Sequence, residues 1–222
     1  MIGFTGETME TSTLEERFLM AINREEEIIF ISYSLLDDTE EKIKFVLAKI
    51  LEKHQKEELF TPLYSCIKEL IANANKANAK QILTDEGTIE DPENIIEVIE
   101  KVRTILNEKS QLEYGLKAKQ KMLSTRTYLR DHNGVLTIRI INNLALPEKE
   151  LKRISERIEK SSHYDSIAEI YIEDPDPYAE GMGLGLSMVV VLLKSVGVDH
   201  ENFTVSTDST GKTYAEMNIP LV

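Results

Sequence analysis

Two short stretches carry residues whose types and spacing suit phosphate chemistry. Gly181-Met182-Gly183-Leu184-Gly185-Leu186 alternates three glycines just ahead of the apolar run Met188 to Leu193. Glycine lets a backbone approach an anion closely, and a helix start offers unpaired N–H groups with positive partial charge. A dinucleotide fingerprint would want a strand before the motif and glycine where Leu186 stands. Here a loop with two prolines, Asp174 to Glu180, precedes it. The stretch therefore reads as a phosphate cradle of another kind, or as a flexible turn before a buried helix. Elsewhere, Glu69 and Asn73 are four residues apart, on one flank of a helix, while Leu70 and Ile71 point into a core. A carboxylate can position or deprotonate an attacking group, and an amide oxygen suits a hard cation such as Mg²⁺. Taken alone, the pair reads as an ordinary surface pair.

The elements that position these residues follow from periodicity. Glu26 to Leu35 has the β-branched and aromatic content of a strand. The acidic Asp37-Asp38-Thr39 then starts a helix running to about His54. A second helix opens at Thr61-Pro62 and continues through Leu63, Ile67, Leu70, Ile71 and Ala74. Leu136, Ile138 and Ile140 alternate with polar residues, as a half-buried strand does, after the turn Asp131-His132-Asn133-Gly134. Pro147 starts a charged helix to about Lys160, and Ser166 to Ile172 reads as a short strand or helix. Leu186 to Ser195 is an apolar helix capped by Gly197, and Phe203 to Ser206 and Tyr214 to Pro220 are closing strands.

Between them lies a segment of unusual charge. Asp85 to Glu100 holds seven acidic residues and no basic one, whereas Gly115 to Arg130 holds Lys117, Lys119, Lys121, Arg126 and Arg130 and no acidic one. Two helices of opposite charge that pair antiparallel are one reading, and two solvated faces the other. Over the whole chain of 222 residues the formal charge is −13, which argues against binding duplex nucleic acid and against a polybasic membrane anchor. The longest apolar run has six residues, so no membrane span is expected. The single Cys66 excludes an internal disulfide framework and a cysteine zinc site. A cytoplasmic protein is expected.

Taken together, the two motifs resemble the N box and the second glycine box of the Bergerat-type (GHKL) ATPases, the superfamily of sensor histidine kinases, gyrase, the ninety-kilodalton heat-shock chaperones and the MutL proteins. Glu69, Asn73 and Ala74 meet E-x-x-x-N-A, and the stretch ELIANANKAN is closest to the histidine-kinase version. Gly181, Gly183, Leu184, Gly185 and Leu186 meet G-x-G-L-G-L, and Thr213, Ala215, Ile219 and Pro220 approach the terminal kinase pattern. The resemblance implies a two-layer α/β sandwich with a mixed, mostly antiparallel sheet and helices on one face. It implies ATP and Mg²⁺ as cofactors, Glu69 as the catalytic carboxylate and Asn73 as magnesium ligand. Asn142 would read adenine, and Gly181, Gly183, Leu184, Gly185, Leu186 and Thr213 would line the nucleotide. It further implies phosphoryl transfer to a protein acceptor in signalling. A homodimer is compatible with it, and the arrangement is similar to that of stand-alone anti-sigma-factor kinases.

The sequence departs from the family in three places. Asn142 stands where the kinases carry the adenine-reading Asp of D-x-G-x-G, and both glycines are replaced around Leu144 to Leu146. None of His54, His132, His163 and His200 has the surroundings of a phosphoacceptor, and His54 reads as an exposed helix-end residue. Basic residues Lys149, Lys152, Arg153, Arg157 and Lys160 fall in the family's lid region, where a phosphate contact and a solvated amphipathic helix are both open readings. Residues 84–130 stand where the kinases have a short link. The expected organisation is an N-terminal flexible or accessory segment 1–25, a kinase-like ATPase domain 26–83 and 131–222, and a helical insertion 84–130. The alternative to a working kinase is a catalytically inactive module that regulates a partner through the insertion.

Overall fold

The computed structural model describes residues 13–34, 38–91, 94–105, 111–173 and 184–222. The chain enters through α1 (Leu14–Asn23), closed by a capping box in which Thr13 and Glu16 satisfy each other's backbone N–H groups. The Phe18 ring of this helix packs tilted against Phe30, centroids 5.7 Å apart, and Ile22 is buried in the main core. Residues 14–23 are thus part of the packed body rather than an accessory lead.

Strand β1 (Ile28–Ser32) is followed by α2 (Thr39–Lys53) and by a 3-10 turn that leads into α3 (Phe60–Asp85). The turn moves the helix start to Phe60, so Pro62 sits inside the first turn and Thr61 is not the cap. Helix α3 has 26 residues, a span of about 39 Å, and it carries two apolar stripes. Leu63, Cys66, Ile67, Leu70 and Ala74 face the main core, whereas Asn75, Asn78, Ala79, Ile82 and Leu83 are buried on a different face. The stripe changes face beside Asn73.

That second face is covered by α4 (Ile95–Ile105) and α5 (Gln111–Gln120), which enclose a smaller core of Ile82, Leu83, Val98, Val102, Tyr114 and Ala118. The two helices expected between 84 and 130 are therefore present and packed on α3. The opposite charges meet at the end of α3, where Lys121 pairs with Asp85 at 2.9 Å and Lys117 with Glu86 at 3.1 Å. The helical reading stops short of Arg130, however. Strand β2 (Thr125–His132) begins within that segment and pairs with β1 on one side and β3 (Val135–Asn142) on the other. The sheet needs these residues, because without them β1 has no neighbour.

After β3 come α6 (Glu148–Ser162), α7 (Ile167–Glu173), α8 (Leu184–Ser195), β4 (Phe203–Thr207) and β5 (Thr213–Pro220). The α7 segment is a helix, not a strand, with Ser166 and Glu169 forming a capping pair at its start. Gly197, at φ +76°, ends α8 in the left-handed region that glycine tolerates. The five strands run in the order β1-β2-β3-β5-β4, and every pairing is antiparallel. The mixed sheet expected from the family resemblance is thus purely antiparallel among the described residues. The molecule is a mixed α/β fold of one five-stranded sheet and eight α-helices among those residues. The main core lies between the inward sheet residues Phe30, Leu129, Ile138 and Met217 and helices α2, α3 and α8. At the β2–β3 hairpin, Asn133 and Gly134 both adopt positive φ, the two-residue turn whose twist matches its strands.

His54 is not exposed. Its Nε2 lies 2.9 Å from the buried carboxylate of Asp131, which also receives Lys53 Nζ at 2.6 Å. Burial raises the Asp131 pKa, but the hydrogen bonds and charges of Lys53 and His54 outweigh it and hold it below the usual carboxylate value. No helix among the described residues is long and apolar enough to cross a membrane.

Candidate functional site

Glu69 and Asn73 sit one turn apart on the flank of α3 that borders its main-core stripe. Both are half-buried, and neither side chain has a hydrogen bond or ion pair among the described residues. Helix α8 packs along α3 and brings Gly185 against Glu69. A Cβ built on Gly185 would lie 2.8 Å from Glu69 Cδ and nearer still to Oε1, closer than atoms can approach. Only glycine leaves room there for the carboxylate. Two motifs separated by 116 positions in the chain (185 − 69) thus share one contact.

The remaining described residues of the motifs converge on the same end of the sheet. Asn142 is buried at the end of β3. Its Nδ2 donates to the Ala74 carbonyl at 3.0 Å, and its Oδ1 accepts from the Leu144 N–H at 3.2 Å. Thr213, paired with Asn142 across the sheet, donates through Oγ1 to the Leu144 carbonyl at 2.6 Å. Glu69, Asn73, Ala74, Asn142, Gly185 and Thr213 are in this way linked around the middle of α3. Leu186 packs against the main core and Leu184 opens α8. Gly181 and Gly183 lie outside the described residues.

Asn142 differs in one respect from the adenine-reading role that the resemblance implies. Both ends of its amide are already engaged, so a base would share Oδ1 with the Leu144 N–H through its second lone pair. Of the lid-region cations, Arg157 reaches the site-bearing helix, donating from Nε to Ser187 Oγ at 2.8 Å, while Lys149, Lys152, Arg153 and Lys160 are exposed. Ser187 is fully buried and also accepts from Ser161 at 2.9 Å, which fixes α8 to α6. The sequence reading did not single out Ser187, although its place just after the glycine motif was the available signal.

It also missed the polar junction behind Asn73. Asn75 Oδ1 accepts from Thr125 Oγ1 at 2.9 Å, the Asn75 carbonyl accepts from Tyr114 OH at 2.9 Å, and Asn78 Nδ2 donates to the Leu123 carbonyl at 3.3 Å. This junction joins the Glu69–Asn73 helix to α5 and β2. Burial raises the Tyr114 hydroxyl pKa, so it is a donor at neutral pH. Burial likewise pushes the Cys66 thiol up to about 12, an effect the nearby Glu69 charge reinforces, so Cys66 is an inert core residue.

A cavity of about 580 Å³ lies beside Glu69, lined by residues of β1, α2, the N-terminal half of α3 and Met188 of α8. Glu69 lines it, whereas Asn73, Asn142 and Thr213 do not. Among the described residues no group of three or more His, Cys, Asp or Glu side chains could hold a metal ion. Of the two α3 site residues, Asn73 offers an amide oxygen and Glu69 a carboxylate, donor types that could hold a magnesium ion.

No family model matches the chain, and no solved structure matches it. A protein of Treponema pallidum (strain Nichols), described as an uncharacterized protein, is 26% identical over 208 residues. The match covers 92% of this chain and 40% of that protein, so the chain spans less than half of the relative's length.

Proposed function

We propose that the chain is a Bergerat-type, histidine kinase-like domain that binds Mg-ATP and transfers its terminal phosphoryl group to a protein acceptor in signalling. The observation that carries the reading is the contact of Glu69 with Gly185, which brings a carboxylate to the start of the helix the glycine motif opens. In the reaction the bond between Pγ and the bridging oxygen of ADP breaks, and a bond from the acceptor's oxygen or nitrogen to Pγ forms. The acceptor's proton passes to Glu69, and ADP leaves. Asn73 would hold Mg²⁺, which neutralises phosphate charge when bound. The N-terminus of α8 would face the phosphates, and Asn142 with Thr213 would meet the base. The half-buried, unpartnered state of Glu69 and Asn73 supports these roles, since both keep their oxygens available.

A second reading, a catalytically inactive module that regulates a partner, is favoured by the engagement of both ends of the Asn142 amide. Calorimetry with Mg-ATP and Mg-ADP on the folded chain tests the nucleotide claim. Binding is expected, weaker for Asn73→Ala, and absence of heat and of any thermal shift at millimolar nucleotide would sink it. Glu69→Gln then separates the two readings. It keeps the shape and loses the base, so ATP consumption should fall by about 10²–10⁴-fold while nucleotide affinity changes far less. Equal consumption by wild type and variant would take Glu69 out of the chemistry.

A further inference from the structure

The cavity beside Glu69 is a site of its own. Its volume of about 580 Å³ falls within the range of roughly 300–1,000 Å³ in which small-molecule pockets lie. Its walls include Ile43, Ile67, Ile71 and Met188. Three charged side chains also reach it: Glu40, Lys68 and Glu69. Glu40 is already neutralised, because it accepts from the Tyr64 hydroxyl and pairs with Lys44 at 3.3 Å and Lys68 at 3.7 Å. Lys68 is more than half exposed and spends its charge on that same carboxylate and on the face of the Tyr64 ring. Glu69 remains: a half-buried carboxylate with no hydrogen bond or ion pair among the described residues, set in an apolar wall. Such a group favours a ligand that brings a positive charge and hydrogen-bond donors.

We propose that this cavity binds a small amphiphilic ammonium compound, its apolar body against Ile43, Ile71 and Met188 and its NH₃⁺ group on the Glu69 carboxylate. The inference goes beyond the nucleotide reading and stands without it, since Asn73, Asn142 and Thr213 do not line the cavity. Where both hold, the ligand occupies the base that the transfer requires, and the cavity becomes an inhibitory input.

The probes are octylammonium, octanol and octanoate, titrated by NMR into the nucleotide-free protein. Octylammonium should bind at least about tenfold more tightly than either of the others, as a charge-assisted hydrogen bond supplies. The shifted amides should be those around Ile43, Glu69, Ala72 and Met188. Glu69→Gln should bring octylammonium and octanol to within about twofold of each other. Because that variant keeps every other acidic residue, an unchanged preference would mean diffuse attraction to an acidic surface and would overturn the proposal. Ala72→Trp, which fills the cavity, should abolish the binding of all three. If it does not fold, the shift map on the wild type decides, and shifts centred elsewhere or no binding at all overturn the proposal.

Discussion

Replacing Gly185 with alanine puts one methyl group where the Glu69 carboxylate now lies. The new Cβ would stand 2.8 Å from Glu69 Cδ and 3.3 Å from Cγ, so the Glu69 side chain must swing aside. Forcing a side chain off its well or overpacking a tight contact costs about 1–3 kcal/mol. Against this, alanine stabilises a helix by up to about 1 kcal/mol over glycine, less near an end. Gly185 is the second residue of α8 and its φ is not left-handed, so that gain is available only in part. The single variant should therefore lie between roughly neutral and about 3 kcal/mol destabilised. In a Glu69→Ala background the obstacle is gone, and Gly185→Ala should be neutral or stabilising. Urea unfolding of the wild type, both single variants and the double variant closes a cycle with an expected coupling of about 1–3 kcal/mol. A coupling within about 0.5 kcal/mol of zero, the additivity seen for sites that do not touch, would refute the juxtaposition of the two motifs. No ligand is needed for this measurement.

Three further outcomes are expected. Asn142→Asp removes the donor to the Ala74 carbonyl and sets a carboxylate against it, so stability should drop by about 1–3 kcal/mol in the same urea assay. Asp131 has a lowered folded pKa, so its contribution is complete above its ordinary value of 3.8 and is lost as pH falls through the lower folded value. Acid unfolding followed by circular dichroism should accordingly be steeper below pH 4 for wild type than for Asp131→Asn, which is less stable at neutral pH. Excision of 84–130 removes β2 and should abolish cooperative unfolding, whereas a short Gly/Ser link in place of 88–121 should keep the sheet and expose Ile82 and Leu83. Equal behaviour of the two deletions, read by chemical denaturation, would contradict the place of β2 between β1 and β3.

The elements that sequence periodicity revealed are those whose buried faces are apolar. In β3, Leu136, Ile138 and Ile140 point into the core, and α8 carries Val189, Val190 and Leu193. Strand β2 was invisible for the opposite reason. Its inward positions are Thr125, Thr127, Leu129 and Asp131, three of them polar, and their burial is paid for by the Asn75 contact and the Lys53–His54 cluster rather than by apolar area. Those partners come from distant segments, so no local pattern announces them. Helix α3 was legible to Ala74 and then lost, because its apolar stripe moves to another face once α4 and α5 cover it. In the site, Glu69, Asn73 and Gly185 were legible as types and spacings, and the contact of Glu69 with Gly185 is what folding adds. The engagement of Asn142 and the inward turn of Arg157 depend on backbone and side-chain positions that spacing alone does not encode.

The sheet order also dictates a sequence of events during synthesis. Ile28 of β1 pairs with Leu129 of β2, 101 positions later (129 − 28), while β2 and β3 meet across a two-residue turn. The first strand thus leaves the ribosome early and stays without its neighbour, Ile29 and Ile31 included, until α2 to α5 and then β2 have been made. The hairpin can close locally and early, and β1 joins it as a late, long-range step. Because closure entropy grows only logarithmically, doubling the intervening length would add about 0.6 kcal/mol. Growth or shrinkage of the α4–α5 segment is therefore nearly neutral for β1 docking, provided Thr125 to His132 is left intact.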